Sequence, residues 1–183
     1  LRLSCRIGLK IDAHPDQVIQ AQQIHEDHIA IVDHTHARKI IPGADGLITK
    51  DKNLFLTIRT ADCVPVFIYD PDNQLIGLVH AGFSGINLKI HLKAINLLKS
   101  QFHSQPQNLL IGLGPSICAH CYHRHIDLAR TITQDLLQAG IVAANLDRLD
   151  ICTFEDTNLP SHQKSLATGQ PEARIYNMLG FKS

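Results

Sequence analysis

No tryptophan occurs in the 183 residues, methionine appears once, and aromatic side chains make up 5% of the chain. So sparse a set leaves no stacking platform for single-stranded nucleic acid. Neither sign of charge dominates: 17 Lys and Arg stand against 17 Asp and Glu, so no global field recruits nucleic acid or an anionic membrane. Long hydrophobic runs are missing too. None approaches the roughly 18 residues of a spanning helix, and the opening Leu1-Arg2-Leu3-Ser4 carries no leader pattern. The five cysteines (Cys5, Cys63, Cys118, Cys121 and Cys152) are odd in number and scattered, unlike the dense, even set of a secreted disulfide scaffold. These absences point to a cytoplasmic protein with neither membrane nor nucleic acid as partner.

What is present suits a folded α/β chain. Hydrophobic residues at 44% and charged residues at 19% are ordinary for a globular protein, and the length accommodates one full core. We expect a single domain over residues 1–183. Leu54 to Ile58 and Val64 to Tyr69 are β-rich runs. The second is stopped by Asp70-Pro71-Asp72-Asn73, a turn in which proline presets φ and Asx side chains bond the local backbone. Leu75 to His80 then returns as the second arm of a hairpin. From Ile86 to Phe102 the apolar residues Leu88, Leu92, Ile95, Leu98 and Phe102 recur at helical steps. Leu109 to Leu113 reads as a strand closing on Gly114-Pro115. Asp127 to Ala139 reads as a helix stopped by Gly140. Val18 to His25 and His28 to Val32 suit two strands around a turn, with a helix through Gln22 as the alternative. After Thr153 the chain is turn-rich until Ala173 to Leu179. Strands and helices interleave without a repeat or linker, as in one α/β domain.

The twelve histidines are the compositional oddity, and three groups of residues invite chemistry. Cys63, in Thr60-Ala61-Asp62-Cys63, and His80, in His80-Ala81-Gly82, stand at the edges of the two hairpin strands. Pairing of those strands lets a thiolate and an imidazole converge at one end of the sheet, and both are good zinc ligands. A second imidazole would make a three-ligand site with one position open, the pattern of a catalytic metal. Spacing leaves other readings standing: a nucleophile–base pair as in cysteine hydrolases, or a buried thiol and a turn histidine. Local pattern does not name the second imidazole.

The second group, Cys118-Ala119-His120-Cys121-Tyr122-His123-Arg124-His125, contains a C-x-x-C suited to a structural zinc or a redox pair. No partner ligand pair follows it at a fixed distance. In the third, Gly82-Phe83-Ser84-Gly85 leads into the Ile86 helix, where backbone N–H groups favour an anion. Gly112-Leu113-Gly114-Pro115-Ser116 is positioned to line the same crevice, which makes Ser116 a candidate substrate contact.

Taken in order, these strings resemble one family. Thr60-Ala61-Asp62-Cys63-Val64-Pro65-Val66 and Val79-His80-Ala81-Gly82-Phe83-Ser84-Gly85 look like its two signature segments. Gly114-Pro115-Ser116-Ile117 through Cys121-Tyr122 looks like the third, and Gln23-Ile24-His25 like its Gln-x-His element. The family is the YfiH or laccase-domain group, labelled multicopper polyphenol oxidases and peptidoglycan editing factors, and treated as zinc-dependent purine nucleoside phosphorylases with adenosine deaminase and methylthioadenosine phosphorylase activities. The resemblance implies a three-layer α/β/α sandwich around a mixed sheet. It also implies one zinc ion held by His25, Cys63 and His80, which makes Cys63 a ligand instead of an attacking thiolate. Copper fits less well, because a multicopper oxidase needs several His-rich sites. The implied partners are a nucleoside and phosphate, and Asp62 is the neighbouring candidate for proton transfer or support of the ligands.

Departures from the family pattern fall in the implied phosphate pocket. The family's Trp-Arg is Phe83-Ser84 here. Its Ser-aromatic-Arg-Arg and Thr-Gly-Arg elements read Ser161-His162-Gln163-Lys164 and Thr168-Gly169-Gln170. Arginine's fork is the natural phosphate clamp, so its loss leaves Lys164 and Arg6 as the evident cations, with Ser84 and Ser116 as further substrate contacts. A metal-binding paralogue without phosphorylase activity, a Cys-His hydrolase and a peptidoglycan-precursor editing factor are the alternatives.

Overall fold

The hairpin around Asp70 to Leu75 lies at the centre of the molecule, because its two strands are buried along nearly their whole length. The structure, a computed structural model, describes residues 2–11 and 13–182. Its strands are β1 (Arg2–Gly8), β2 (Val18–Ala21), β3 (Ile29–Ile31), β4 (Ile40–Ile41), β5 (Gly46–Thr49), β6 (Phe55–Thr60), β7 (Val64–Asp70), β8 (Leu75–Ala81), β9 (Leu110–Leu113), β10 (Leu146–Arg148) and β11 (Ile175–Lys182). The α-helices are α1 (Phe83–Asn87), α2 (Ile90–Phe102), α3 (Leu128–Gln138) and α4 (His162–Thr168).

The strands form two mixed sheets, ordered β1-β11-β6-β2-β4 and β10-β9-β7-β8-β5-β3. One face of the six-stranded sheet (Val64, Val66, Ile68, Val79) packs against Ile90, Ala94, Ile95 and Leu98 of α2 and Leu128, Ile132 and Leu136 of α3. Its other face (Leu47, Phe67, Ile76, Leu78) packs against Ile19, Leu56, Ile58 and Leu179 of the five-stranded sheet. Three layers result, as expected of this α/β fold, with one correction to their composition. A second sheet occupies the outer layer where helices were anticipated. Strands buried on both faces read as continuous apolar runs whatever covers them, so the pattern of β7 and β8 did not distinguish the two.

The turn between β7 and β8 forms as its residues dictate, with Asp70 Oδ1 accepting from the Asn73 backbone at 3.0 Å and Oδ2 from its side chain at 2.8 Å. Two other expectations change. The helix from Ile86 to Phe102 is broken, since Leu88 ends α1 and Lys89 adopts a left-handed conformation at φ 61°. The break turns Leu88 outward and buries Ile90 and His91. Likewise β2 and β3 are not a hairpin: β2 pairs with β4 and β6, and β3 with β5 in the other sheet. The chain therefore crosses between the sheets through residues 22–28, and again through residues 61–63 between β6 and β7.

Candidate metal centre

The two crossings meet the end of β8. Register places Val64 opposite Ala81 and Pro65 opposite His80, so Cys63, just before β7, comes level with Gly82. His25 arrives from the first crossing, where it and Gln23 both hold positive φ (63° and 65°), a costly backbone state found where surrounding structure imposes it. One ligand atom from each of His25, Cys63 and His80 lies within 4.8 Å of the others. The imidazoles meet edge to face, ring centroids 4.8 Å apart. Gly82 closes against all three: a Cβ there would stand 3.0 Å from Cys63 Sγ, 3.3 Å from His25 Cδ2 and 3.7 Å from His80 Cε1.

Asp45, fully buried, orders this arrangement. Its Oδ1 receives His80 Nδ1 at 2.8 Å and the His25 backbone N–H at 3.0 Å, while Oδ2 accepts from the backbones of Ile24 and Glu26 at 2.9 and 3.1 Å. One carboxylate thus fixes both the His80 ring and the loop carrying His25, the role such outer partners play around metal-binding histidines. Burial alone would raise the Asp45 pKa, but these bonds hold it below the usual carboxylate range. Burial also raises the Cys63 thiol, yet hydrogen bonding and charge from His25 and His80 pull it down to about 6. For His80 burial lowers the pKa, and the bonds to Asp45 and Cys63 lift it to about 9. Mutual polarisation of this kind readies a thiolate for a cation.

The cluster opens on a cleft of about 380 Å³ lined by Gln23, His25, Arg59, Ala61, His80, His162, Glu172 and Arg174. Its cations were not anticipated. Arg59 and Arg174 converge because β6 and β11 pair with Tyr176 opposite Arg59. Gln23 grips the Arg59 backbone from both sides, donating Nε2 to its carbonyl at 2.6 Å and accepting its N–H at 2.7 Å. Glu172 pairs with Arg174 at 2.9 Å and also with His162. Arg59 Nε is buried and has no hydrogen-bond partner among the described residues. Two arginines 115 positions apart in the chain give no local signal; only the pairing of their strands unites them.

Other residues singled out in the sequence lie elsewhere. Lys164 Nζ donates to the carbonyls of Asp156 (2.6 Å) and Leu159 (3.4 Å), which makes it a loop brace. Arg6, on β1, stands over the Phe55 ring at 5.6 Å. Ser84 is exposed on α1, and Ser116 lines a separate cleft with Cys118, Cys152 and Glu155. Asp62 sits in a turn at φ 83°, with Oδ1 taken by the Thr153 hydroxyl and Oδ2 by the Gln163 N–H, both at 2.7 Å. With both oxygens engaged it braces the turn that carries Cys63.

Fold and site together define an α/β protein whose thiol–imidazole cluster faces a polar, cationic cleft. Residues 4–125 match the family model described as multi-copper polyphenol oxidoreductase laccase, and the chain belongs to that family. It is 32% identical over 136 residues to a protein of Bacillus subtilis named purine nucleoside phosphorylase YlmD, a match covering 69% of this chain and 49% of the relative. A purine nucleoside phosphorylase of Streptomyces coelicolor is 25% identical over 178 residues, covering 85% of this chain and 73% of the relative. The chain thus spans about half the length of the Bacillus relative. Among solved structures, the Bacillus licheniformis hypothetical protein YfiH superposes with a TM-score of 0.86 at 25% identity, over 92% of this chain and 76% of that one. YlmD from Geobacillus stearothermophilus superposes at 0.85 with 23% identity, over 92% and 74%. Among the described residues no helix is long and apolar enough to cross a membrane.

Proposed function

We propose that this chain is a zinc-dependent purine nucleoside phosphorylase, with His25, Cys63 and His80 as metal ligands and the adjoining cleft as the site for nucleoside and phosphate. The carrying observation is that His25 and His80, clustered with Cys63, line one cleft with Arg59 and Arg174. One thiolate and two imidazoles suit zinc and leave a fourth position open. The side-chain-free space at Gly82 keeps the three donors close. Bound there, zinc would supply Lewis-acid activation.

The protein's own groups do the remaining work. Arg59 and Arg174, which both line the cleft, bind the phosphate. Glu172 orients Arg174, and Gln23 fixes the strand that carries Arg59. His162, paired with Glu172, is the lining group outside the ligand set that can carry a proton to the departing purine. The substrate range includes adenosine, inosine and methylthioadenosine; deamination of adenosine would be a separate reaction of the same site, in which water adds at C6 of the purine and ammonia leaves. Names of relatives support the activity class, and the arginines answer the loss of cations suggested by Phe83-Ser84 and Gln170.

The depressed Cys63 thiol favours a second reading, a cysteine hydrolase with Cys63 as nucleophile. Against it, His25 and His80 line the cleft while Cys63 does not. The test incubates the zinc-loaded chain with inosine and phosphate and follows ribose 1-phosphate. Turnover dependent on both supports the proposal; a zinc-loaded chain without turnover on inosine, adenosine or methylthioadenosine sinks it.

A further inference from the structure

Cys118 and Cys121 part company with the histidines that follow them. His123 Nδ1 turns to Gln163 Oε1 at 3.1 Å, whereas the cysteines meet Cys152 and Glu155 from a loop 34 residues further along. The sequence of that loop, Cys152-Thr153-Phe154-Glu155, repeats the two-residue spacing of Cys118-Ala119-His120-Cys121. The partner pair that spacing failed to reveal is therefore C-x-x-E, with a carboxylate in place of the usual second ligand type. One donor atom from each of the four residues lies within 4.8 Å of the others. Cys121 Sγ is 3.5 Å and Cys118 Sγ 4.0 Å from Glu155 Oε1.

We infer that Cys118, Cys121, Cys152 and Glu155 hold a second metal ion, zinc by preference, in a closed structural site. Zinc–sulfur bonds of about 2.3 Å in a tetrahedron set the sulfurs about 3.8 Å apart, so a contraction of at most about 1 Å completes the shell. Three thiolates select zinc over magnesium or calcium. Four protein donors leave no open position, the mark of a structural site. The backbone already joins the two loops. Ser116 and Cys152 form a parallel bridge, Ser116 N–H donates to the Ile151 carbonyl and Thr153 N–H to the Ser116 carbonyl, both at 3.2 Å. Cys118 N–H points at Cys152 Sγ at 3.3 Å, a donor that favours the thiolate. All three cysteines are free, and Arg148 in the same cleft is committed to Asp127 at 3.3 Å and Asp150 at 2.6 Å.

The ion also bears on the first centre. Thr153, between two of its ligands, gives its hydroxyl to Asp62, the residue before Cys63. Closing the second site therefore stiffens the turn that presents Cys63. This inference stands apart from the proposed phosphorolysis and from occupancy of the first centre.

Cys63→Ala removes a ligand of the first centre and isolates the second for measurement. The full Cys63→Ala chain is expected to retain about one equivalent of zinc per chain, which protects Cys118, Cys121 and Cys152 from alkylation. Cobalt in its place should give a thiolate charge-transfer band. Adding Cys118→Ser and Cys152→Ser abolishes the zinc and the band; Glu155→Gln retains the thiolates and weakens zinc binding at least tenfold. Should the multiple variant not fold, alkylation of the Cys63→Ala chain with and without added zinc decides. The inference is overturned if that chain holds no zinc and its thiols react equally fast in both conditions, or if two of them are isolated as a disulfide.

Discussion

Asp45 holds His80 at two points: its carboxylate receives Nδ1 at 2.8 Å and its backbone carbonyl receives the His80 N–H at 2.7 Å. The same carboxylate accepts three N–H groups of the loop bearing His25. Two ligands, one on β8 and one in the crossing between the sheets, are thus set by one side chain. Asp45→Asn keeps the size but removes the charge that orders these donors. Zinc affinity, measured by competition with a chromophoric chelator, should fall about 10- to 100-fold. An unchanged affinity would mean that the ligands are positioned without Asp45.

Gly82 offers a cleaner perturbation, because its backbone, at φ −81°, is open to any residue. Gly82→Ala adds only the Cβ that would stand 3.0 Å from Cys63 Sγ. Thermal stability should change little, whereas zinc binding should weaken distinctly. Equal zinc affinity in the two proteins would show that the three donors need no such closeness.

For the anion, Arg174→Ala and Arg59→Ala each remove charge-assisted bonds worth about 1.5–3 kcal/mol. The phosphate KM should rise roughly 10- to 100-fold, with the nucleoside KM less affected. Arg59→Lys should not restore it, since an ammonium lacks the planar fork. A phosphate KM indifferent to both arginines would place the anion elsewhere.

Acid sensitivity should trace to the contact between α2 and α3. His91 is fully buried, with Nε2 on Asp135 Oδ2 at 2.8 Å and Nδ1 without a hydrogen-bond partner among the described residues. Burial depresses its pKa, outweighing the carboxylate. A depressed group contributes stability above its unfolded pKa and loses it as pH falls. Burial would raise Asp135, but Lys89 and His91 hold it low, so its contribution also fades on acidification. Stability should therefore decline as pH drops below the ordinary histidine value of about 6.5. In His91→Gln the decline in urea midpoint from pH 7 to 5 should be shallower. Parallel slopes in the two proteins would rule out this origin.

How much was visible beforehand depended on whether neighbours in space were neighbours in sequence. Cys63 and His80 flank a hairpin closed by Asp70 to Asn73, so strand pairing alone brings them close. His25 enters from the other sheet on a left-handed residue, and only family resemblance named it. Asp45, between Ala44 and Gly46, has no periodic signature, and Arg59 with Arg174 depends on the β6–β11 register. In α2 the apolar stripe was real, but the turn at Lys89 rotated the buried face onto Ile90 and His91. The C-x-x-C lacked a recognisable mate because that mate ends in glutamate.

The most direct test of the metal centre compares zinc content in the unaltered chain and in Cys63→Ala, prepared identically and measured with their phosphorolytic activity. The account predicts that the variant loses about one equivalent per chain, together with ribose 1-phosphate formation, while remaining folded. Equal zinc content in both proteins would contradict it.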